Sequence, residues 1–266
     1  MPNIALTTYC NLHCPYCFAD TMIQTEDIKN ISLDRFKEIC HWVLKDKPPE
    51  IPGHIGLIGG EPTLHPQFKE ILSITDDIFT KYNCGGVLFT NAVYLEPFLP
   101  YLPNNLHLLI NVNTPNAMNE DQWNKMSSTL DEIYNLGWFK NKAVIGCNIC
   151  MEIDDYSFIW NVVDKYNLKT VRVSVTAPTK EEYKNDKDKY YKSLLPKFLN
   201  FVREANKRNI FLHRDCNQIP SCYYENINDL ALVKKVFDNN NKETPHCGPI
   251  VDITPDFTAS SCFGAY

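Results

Sequence analysis

The chain has 266 residues, a formal net charge of −6 at pH 7 and a hydrophobic content of 44%. That length accommodates one large α/β domain, alone or with a small appendage. The acidic balance argues against the broad basic face of a nucleic-acid-binding protein. The sequence has no apolar run of about 18 residues, which argues against a membrane span, and its first residues do not form a secretory signal peptide.

The sequence contains 11 cysteines. An odd number without a secretory signal disfavours a disulfide framework and indicates reduced thiols or metal ligands, as expected in the cytoplasm. Clustered thiolates select iron–sulfur clusters, zinc or Cu(I).

Short apolar runs alternate with amphipathic helical patterns as far as about residue 210. Ser32 is the predicted N-cap of the first helical stripe, and Gly137 is the predicted stop of the fourth. Helical stripes are predicted within 33–44, 68–82, 95–99, 123–134, 158–166 and 194–205. Strands are predicted at 4–8, 54–58, 87–90, 106–112, 144–149, 171–175, 210–213 and 250–254.

Six successive βα units predict the α/β fold class, with right-handed crossovers and a parallel sheet or barrel. Chemistry in such folds gathers on loops at the carboxyl ends of the strands. The pattern changes after residue 213, so we predict one domain over 1–213 and a cysteine-rich subdomain over 214–266.

Cys10, Cys14 and Cys17 follow the first predicted strand with the spacing C-x3-C-x2-C. An iron–sulfur cube has four irons and is usually held by four thiolates, so three local ligands would leave one iron open. The alternative is a zinc knuckle completed by a fourth ligand such as His13. Zinc ligands usually come as two pairs, and no second pair is obvious nearby.

A second motif, Gly59-Gly60-Glu61-Pro62, follows the second predicted strand. Paired glycines permit positive φ and close backbone approach to a ligand. Glu61 adds a carboxylate, and the loop could offer carbonyl oxygens to an ammonium group. By itself the motif could be an ordinary turn between a strand and a helix; its position one βα unit after the cysteine loop favours a functional role.

Together these motifs, with the aromatic Tyr16 before the third cysteine, resemble the radical S-adenosylmethionine (SAM) superfamily over roughly residues 3–176. The resemblance implies a partial (β/α)6 TIM-like barrel. It also implies that Cys10, Cys14 and Cys17 ligate a [4Fe–4S] cluster whose open iron chelates SAM. Residues 59–62 would bind the SAM amino group, and the backbone at Tyr16 would approach the adenine.

Polar residues at later strand ends are further candidates for SAM contacts. Strand alternation predicts that Asn111 shares a face with Asn113, and Arg172 with Ser174. The alternative for each is ordinary hydrogen bonding at the sheet end. The six candidates are Asn91, Asn111, Asn113, Asn148, Arg172 and Ser174.

The C-terminal cysteines resemble the SPASM and twitch extensions found after some radical SAM barrels. The resemblance implies one auxiliary [4Fe–4S] cluster in a twitch-like subdomain, although Phe257 stands where the pattern has glycine. A zinc site or four reduced thiols are the alternatives. The cysteines concerned are Cys216, Cys222, Cys247 and Cys262.

The other cysteines, at positions 40, 84, 147 and 150, are predicted to pack as small apolar residues. Cys147 and Cys150 are spaced like a redox pair, but along a strand they would lie on opposite faces. His65 follows the Gly-Gly-Glu-Pro turn and could face the site, with no partner evident.

The resemblance implies an enzyme that cleaves SAM to a 5′-deoxyadenosyl radical and abstracts hydrogen from its substrate. Twitch-like extensions favour a peptide or protein side chain, as in ribosomal peptide maturation. The lack of room before Cys10 for a leader-binding domain keeps a small metabolite open. An electron donor such as flavodoxin or ferredoxin is implied. The alternative of another class is a non-enzymatic iron–sulfur carrier or a zinc-bound scaffold.

Overall fold

The computed structural model describes residues 2–17, 27, 29–46, 53–176, 180–215, 218–237 and 251–260, without the side chains of 180–185 and 187. Contacts divide the chain into two compact units. Unit one comprises Met1–Asn111, Asn116–Ala143 and Gly248–Tyr266, and unit two comprises Val112–Pro115 and Val144–Cys247.

Strands and helices alternate through most of the described chain, as the sequence predicts. The elements are β1 (Asn3–Ala5), α1 (Leu33–Leu44), β2 (Gly53–Ile58), α2 (Phe68–Tyr82), β3 (Cys84–Thr90), β4 (Leu106–Asn111), α3 (Glu120–Asn135), β5 (Ala143–Ile149), α4 (Ser157–Lys165), β6 (Thr170–Val175), α5 (Lys180–Lys207, with non-helical backbone at Asp186), β7 (Phe211–Arg214), α6 (Ile227–Val236), β8 (Asp252–Ile253) and β9 (Ala259–Ser260).

The strands of unit one lie in the order β4-β3-β2-β1-β8-β9. All neighbours are parallel except β8 and β9. Fully buried side chains such as Ile4, Leu57 and Leu88 line these strands, as expected of a parallel sheet covered on its faces. Asn3 Nδ2 donates to Asp252 Oδ1 at 2.7 Å, so residues from near both ends of the sequence meet in this unit.

Unit two contains the parallel strands β7-β6-β5. In β6 half-buried residues alternate with buried ones, and Val171, Val173 and Val175 form the buried set. Helices α5 and α6 belong to the same unit. Phe198 of α5 stacks on Phe237, which follows α6, with ring centroids 5.9 Å apart.

Local sequence signals explain where several helices begin and end. The Ser32 hydroxyl accepts from the Arg35 amide at 3.2 Å, which confirms the predicted N-cap. Gly137 adopts φ 72° directly after α3 and its capping residue, which confirms the predicted stop. The third predicted helix is instead a 3-10 segment, Glu96–Tyr101, with Pro100 inside it. In an α-helix the proline ring would clash with the carbonyl four residues earlier.

The fold is therefore mixed α/β with a largely parallel, open sheet, in agreement with a partial TIM-like architecture. Within the described residues, no helix combines the length and the apolar character needed to cross a membrane. The predicted boundary near residue 213 stays a prediction. Cys216, Cys247 and Cys262 lie outside the described residues.

Candidate cluster and cofactor site

The segment before the cysteine loop is anchored on two sides. On one side it pairs with residues 29–31: the Thr8 amide donates to Lys29 O, and the Ile31 amide donates to Leu6 O, both at 2.9 Å. On the other side the Leu6 amide donates to Ile58 O, the last residue of β2, at 2.8 Å. The loop thus begins from backbone that is fixed at the carboxyl ends of two neighbouring strands.

The cysteine loop itself is closed by a turn. The Cys17 amide donates to Cys14 O at 3.0 Å, and Pro15 occupies the position of the turn that favours its fixed φ. Cys10, Cys14 and Cys17 are all half-buried, whereas His13 is exposed. The loop therefore holds its three thiols partly shielded from solvent.

The Gly-Gly-Glu-Pro turn is bonded directly to the start of this loop. The Gly60 amide donates to Thr7 O and the Glu61 amide to Tyr9 O, both at 2.8 Å. A Cβ at Gly60 would lie 2.1 Å from Tyr9 O, and one at Gly59, where φ is +153°, would lie 2.5 Å from Thr7 O. The glycines do permit a close backbone approach, but the described neighbour is the backbone leading into the cysteine loop.

The Glu61 side chain is only 1% exposed and accepts hydrogen bonds at both carboxylate oxygens. Oε1 accepts from the Thr63 amide at 3.2 Å, the Thr63 hydroxyl at 2.7 Å and the Thr90 hydroxyl at 2.7 Å. Oε2 accepts from the Asn91 amide at 2.8 Å. Burial raises the pKa of Glu61, and these four donors oppose that rise. The carboxylate thus ties the turn to the end of β3.

Asn91 connects this buried carboxylate with the cysteine loop. Its Nδ2 donates to Asn11 Oδ1 at 2.9 Å, and its Oδ1 accepts from the Val93 amide at 3.0 Å. The Asn11 Nδ2 atom is buried and has no hydrogen-bond partner among the residues that the structure describes. Sequence reasoning named Asn91 but missed Asn11, whose only signal was its position directly after Cys10.

Helix α3 also holds the cysteine loop. Asn119 and Gln122 form a reciprocal capping box at the start of this helix. Gln122 Nε2 additionally donates to Asn11 O at 2.9 Å. Gln122 was not predicted, because nothing in its local sequence indicates that the helix start would face the loop.

The thiol of Cys10 lies in an environment that disfavours the thiolate in the metal-free chain. Burial raises the pKa of Cys10 to about 11, and the nearby Glu61 and Cys17 contribute to that rise. Backbone hydrogen bonds from Leu12 and Asn11 act in the opposite direction. These two amides therefore already point donors at the Cys10 sulfur.

The donor set suits an iron–sulfur cluster. It offers three half-buried thiols, backbone donors at one sulfur and a buried amide that no described residue pairs with. Within the described part of the chain, no three His, Cys, Asp or Glu side chains converge as ligands of one ion. A cube does not require that convergence, since it contains several irons for the thiolates to bind.

The remaining candidates fall in both units. In unit one Asn111 ends β4 and is half-buried. In unit two, Asn148 of β5 lies opposite Ser174 of β6 in the register, and Ser174 shares the half-buried face of β6 with Arg172, as predicted. Arg172 Nη2 donates to Asp215 Oδ1 at 2.7 Å.

The prediction that Asn111 and Asn113 share a strand face is wrong, because it assumed that the strand continues to Asn113. Strand β4 ends at Asn111, so the alternation of a strand does not extend to Asn113. Asn113 lies in unit two and is 3% exposed.

Cys40, Cys84, Cys147 and Cys150 are all buried, which confirms that they pack in the interior. Strand β5 ends at Ile149, as predicted, so Cys150 lies one residue beyond it and the alternation of the strand does not decide which way its side chain points. Among the C-terminal cysteines only Cys222 is described, and it is exposed in the 3-10 segment Ser221–Tyr223.

His65 is a structural residue. Its Nε2 lies 2.8 Å from Ile31 O, and its Nδ1 accepts from the Gln67 amide at 3.1 Å. Those partners define a neutral ring with the proton on Nε2. Burial lowers the pKa of His65, in keeping with that form.

The fold, the cysteine loop and the Gly-Gly-Glu-Pro turn together are characteristic of enzymes that form a radical from SAM. The sequence profile of the Radical SAM superfamily matches residues 4–145, more than half of the chain. The chain belongs to the radical SAM superfamily, a superfamily of enzymes whose members use a [4Fe–4S] cluster and SAM.

Known proteins show the extent of the similarity. The chain is 29% identical over 99 residues to 7,8-dihydro-6-hydroxymethylpterin dimethyltransferase of Methanocaldococcus jannaschii, covering 36% of this chain and 19% of that enzyme. Streptococcus suis SuiB bound to SAM has a TM-score of 0.64 and 14% identity over 98% of this chain and 59% of SuiB. SuiB bound to its precursor peptide SuiA has a TM-score of 0.59 and 12% identity, with the same coverage. The chain thus spans about a fifth of the pterin enzyme and less than two thirds of SuiB.

Proposed function

We propose that this chain binds a [4Fe–4S] cluster through Cys10, Cys14 and Cys17 and uses it to cleave SAM. When bound, the cluster would pass one electron, received from an external electron donor, to the SAM sulfonium, and cleavage of SAM would give methionine and a 5′-deoxyadenosyl radical. That radical would take a hydrogen atom from the substrate.

The chain's own residues have positioning roles in this proposal. The turn at residues 59–62 directs its carbonyl oxygens to the SAM amino group, and the backbone at Tyr16 receives the adenine. The Glu61 carboxylate acts through the turn, because its oxygens already accept from Thr63, Thr90 and Asn91. Asn91, Asn111, Asn113, Asn148, Arg172 and Ser174 are the proposed further contacts to SAM.

One observation carries the proposal. The amides of Gly60 and Glu61 donate to the carbonyl oxygens of Thr7 and Tyr9, so the turn is bonded to the residue directly before Cys10. A cluster on the cysteine loop and a ligand on the turn would therefore be neighbours. Such fixed proximity is what electron transfer into a bound sulfonium requires.

For the C-terminal segment we propose one auxiliary [4Fe–4S] cluster on Cys216, Cys222, Cys247 and Cys262, within a twitch-like region over 214–266. Four thiolates would satisfy that cluster and leave no iron for substrate. Iron analysis distinguishes the alternatives: two clusters give about eight irons per chain and one gives about four, whereas zinc at the C-terminal site appears in the same metal analysis.

A peptide or protein side chain is the proposed substrate, as in ribosomal peptide maturation. The fold similarity to SuiB, a protein solved with a precursor peptide, supports this choice. A small metabolite is the second candidate, and the local similarity to a pterin dimethyltransferase favours it. Flavodoxin or ferredoxin is the proposed electron donor.

Anaerobic reconstitution with iron and sulfide, followed by reduction in the presence of SAM, tests the enzyme against the other classes. The proposal expects 5′-deoxyadenosine from the wild type and none from a Cys10→Ala, Cys14→Ala, Cys17→Ala variant. Cys84→Ala is the matched control, since Cys84 is buried away from the loop in β3 and should leave the yield unchanged. SAM that stays intact with the wild type would indicate a non-enzymatic iron–sulfur electron carrier. Zinc in place of iron would indicate a zinc-bound scaffold protein.

Transfer of deuterium from labelled candidates identifies the substrate. Peptides deuterated at side-chain carbons and deuterated metabolites would be compared with the same reduced enzyme. Label in 5′-deoxyadenosine from a peptide supports the first candidate. Label only from a metabolite would replace it with the second.

A further inference from the structure

Asn11 carries a buried donor for which the described chain supplies no acceptor. Its Nδ2 atom is shielded from solvent and finds no hydrogen-bond partner within the described ranges. A buried polar group left unpaired costs about 1–3 kcal/mol, so such a group calls for an explanation, and a bound ion, water or redox group is one of the usual ones.

The orientation of this amide follows from a chain of fixed donors. The Val93 amide can only donate, so the atom of Asn91 that it contacts must be the oxygen. Asn91 then presents its nitrogen to Asn11, which must present its oxygen in return. The remaining Asn11 group is therefore the NH2, which is a buried donor.

Asn91, at the other end of this series of hydrogen bonds, is itself held in place. The Asn91 amide donates to Glu61 Oε2 at 2.8 Å, and that carboxylate is fixed by Thr63 and Thr90. The Asn11 carbonyl is separately fixed by Gln122 at 2.9 Å. Both the backbone and the side chain of Asn11 are thus held in place before any cofactor binds.

Other donors of the same segment converge on sulfur. The backbone amides of Asn11 and Leu12 both donate to the Cys10 sulfur. Successive amides of this kind form a concave site that favours negative charge. The unpaired Asn11 amide belongs to that segment and is chemically of the same kind.

We propose that Asn11 Nδ2 donates a hydrogen bond to a sulfur atom of the cluster held at Cys10, and that this bond raises the reduction potential of the cluster. The proposal rests on the cluster assignment made above. Hydrogen bonds to cluster sulfurs favour the reduced, more negative state, and outer partners of this kind tune metal sites.

The test is an EPR-monitored redox titration of the full chain, reconstituted without oxygen. Only the signal that changes on addition of SAM is followed, which separates this cluster from an auxiliary one. In Asn11→Leu the reduced-to-oxidised ratio at a fixed potential should fall at least tenfold, a shift of about 59 mV for one electron. Asn141→Leu, at an exposed residue of unit one, should leave the potential unchanged.

A second measurement detects the hydrogen bond itself and starts from the wild-type protein. ENDOR of the reduced cluster in D2O should detect an exchangeable deuteron whose coupling disappears in Asn11→Leu. If Asn11→Leu fails to take up iron, selective 15N labelling of asparagine side chains in the wild type carries the test, with a 15N coupling to the cluster expected.

Two results would overturn the proposal. One is an unchanged potential with full iron content, no deuteron coupling that is lost in Asn11→Leu, and no 15N coupling from an asparagine side chain. The other is weaker SAM binding in Asn11→Leu with the potential unchanged, which would assign the amide to SAM. A wild-type protein that binds no cluster at all would instead contradict the proposed function.

Discussion

The backbone amide of Glu61 donates to the carbonyl oxygen of Tyr9 at 2.8 Å. This bond joins the turn after β2 to the residue directly before the first cysteine of the loop. The two motifs therefore form one local structure, and a change in the turn should be felt at the loop.

Gly60→Ala should disturb the cysteine loop. The added Cβ would lie 2.1 Å from Tyr9 O, which is backbone and cannot rotate away. We expect a loss of about 1–3 kcal/mol in the free energy of unfolding, typical of overpacking, together with reduced iron per chain after reconstitution. Chemical denaturation and iron analysis measure the two effects.

Gly137→Ala is the matched control for that variant. Gly137 has φ 72°, so alanine is strained there, but its Cβ would meet no atom within 4 Å. Stability should fall while iron binding stays normal. Equal iron loss in both variants would mean that general destabilisation, rather than the contact with Tyr9, is responsible.

Glu61→Gln should destabilise the turn although it preserves shape. The carboxylate accepts from the Thr63 amide at one oxygen and from the Asn91 amide at the other. Glutamine would place an NH2 group opposite one of these amides, and two donors cannot pair. The expected loss is about 1–3 kcal/mol in urea unfolding. Glu96→Gln, at an exposed residue bonded to Ser128, should be near neutral; equal losses would refute the argument.

Gln122→Ala removes one side chain that serves both helix α3 and the cysteine loop. Its Oε1 accepts from the Asn119 amide at 3.0 Å, and its Nε2 donates to Asn11 O. We expect a loss of roughly 1–2 kcal/mol and faster release of iron to a chelator. Lys125→Ala, which breaks an exposed ion pair with Asp121 and removes the ammonium from above the Tyr94 ring, should leave iron release unchanged. Unaltered iron release in Gln122→Ala would show that the hydrogen bond from helix α3 does not stabilise the cysteine loop.

His65 should make stability depend on pH. Its pKa is lowered in the folded chain from the ordinary 6.5, so the unfolded state takes up the proton first as pH falls. Stability is therefore complete above about pH 6.5 and declines as pH falls towards the folded pKa.

The matching measurement compares urea unfolding of wild type and His65→Gln at about pH 7.5 and about pH 5. The wild type should lose more stability between these values, and His107→Gln, at an exposed position, should behave like the wild type. A steeper loss in His65→Gln than in the wild type would contradict the prediction.

Much of the fold could be predicted because its signals are local. Apolar runs such as 54–58 and 106–112 have the length and composition of covered parallel strands. Ser32 caps the start of α1 and Gly137 follows the end of α3, so each signal lies next to the helix end that it predicts. The predicted third helix was wrong in type, because its apolar stripe was weighed without the backbone cost of Pro100.

The interior of the candidate site could not be predicted in the same way. Thr90 and Asn91 reach Glu61 only because β3 pairs with β2 in register, and Gln122 reaches Asn11 only because α3 begins beside the loop. These are long-range contacts with no local pattern. Motif spacing indicated which residues are candidates for binding the cluster and SAM, but not that both oxygens of Glu61 would accept hydrogen bonds from the chain itself.

The most direct test of the account asks whether one iron of the N-terminal cluster is open to SAM. The reduced, reconstituted protein would be mixed with SAM labelled with 15N at its amino group and studied by ENDOR. The account predicts a 15N coupling that shows nitrogen bound to iron, lost when Cys10, Cys14 and Cys17 are replaced by alanine. A fourth protein ligand on that iron, with no coupling to labelled SAM, would contradict it.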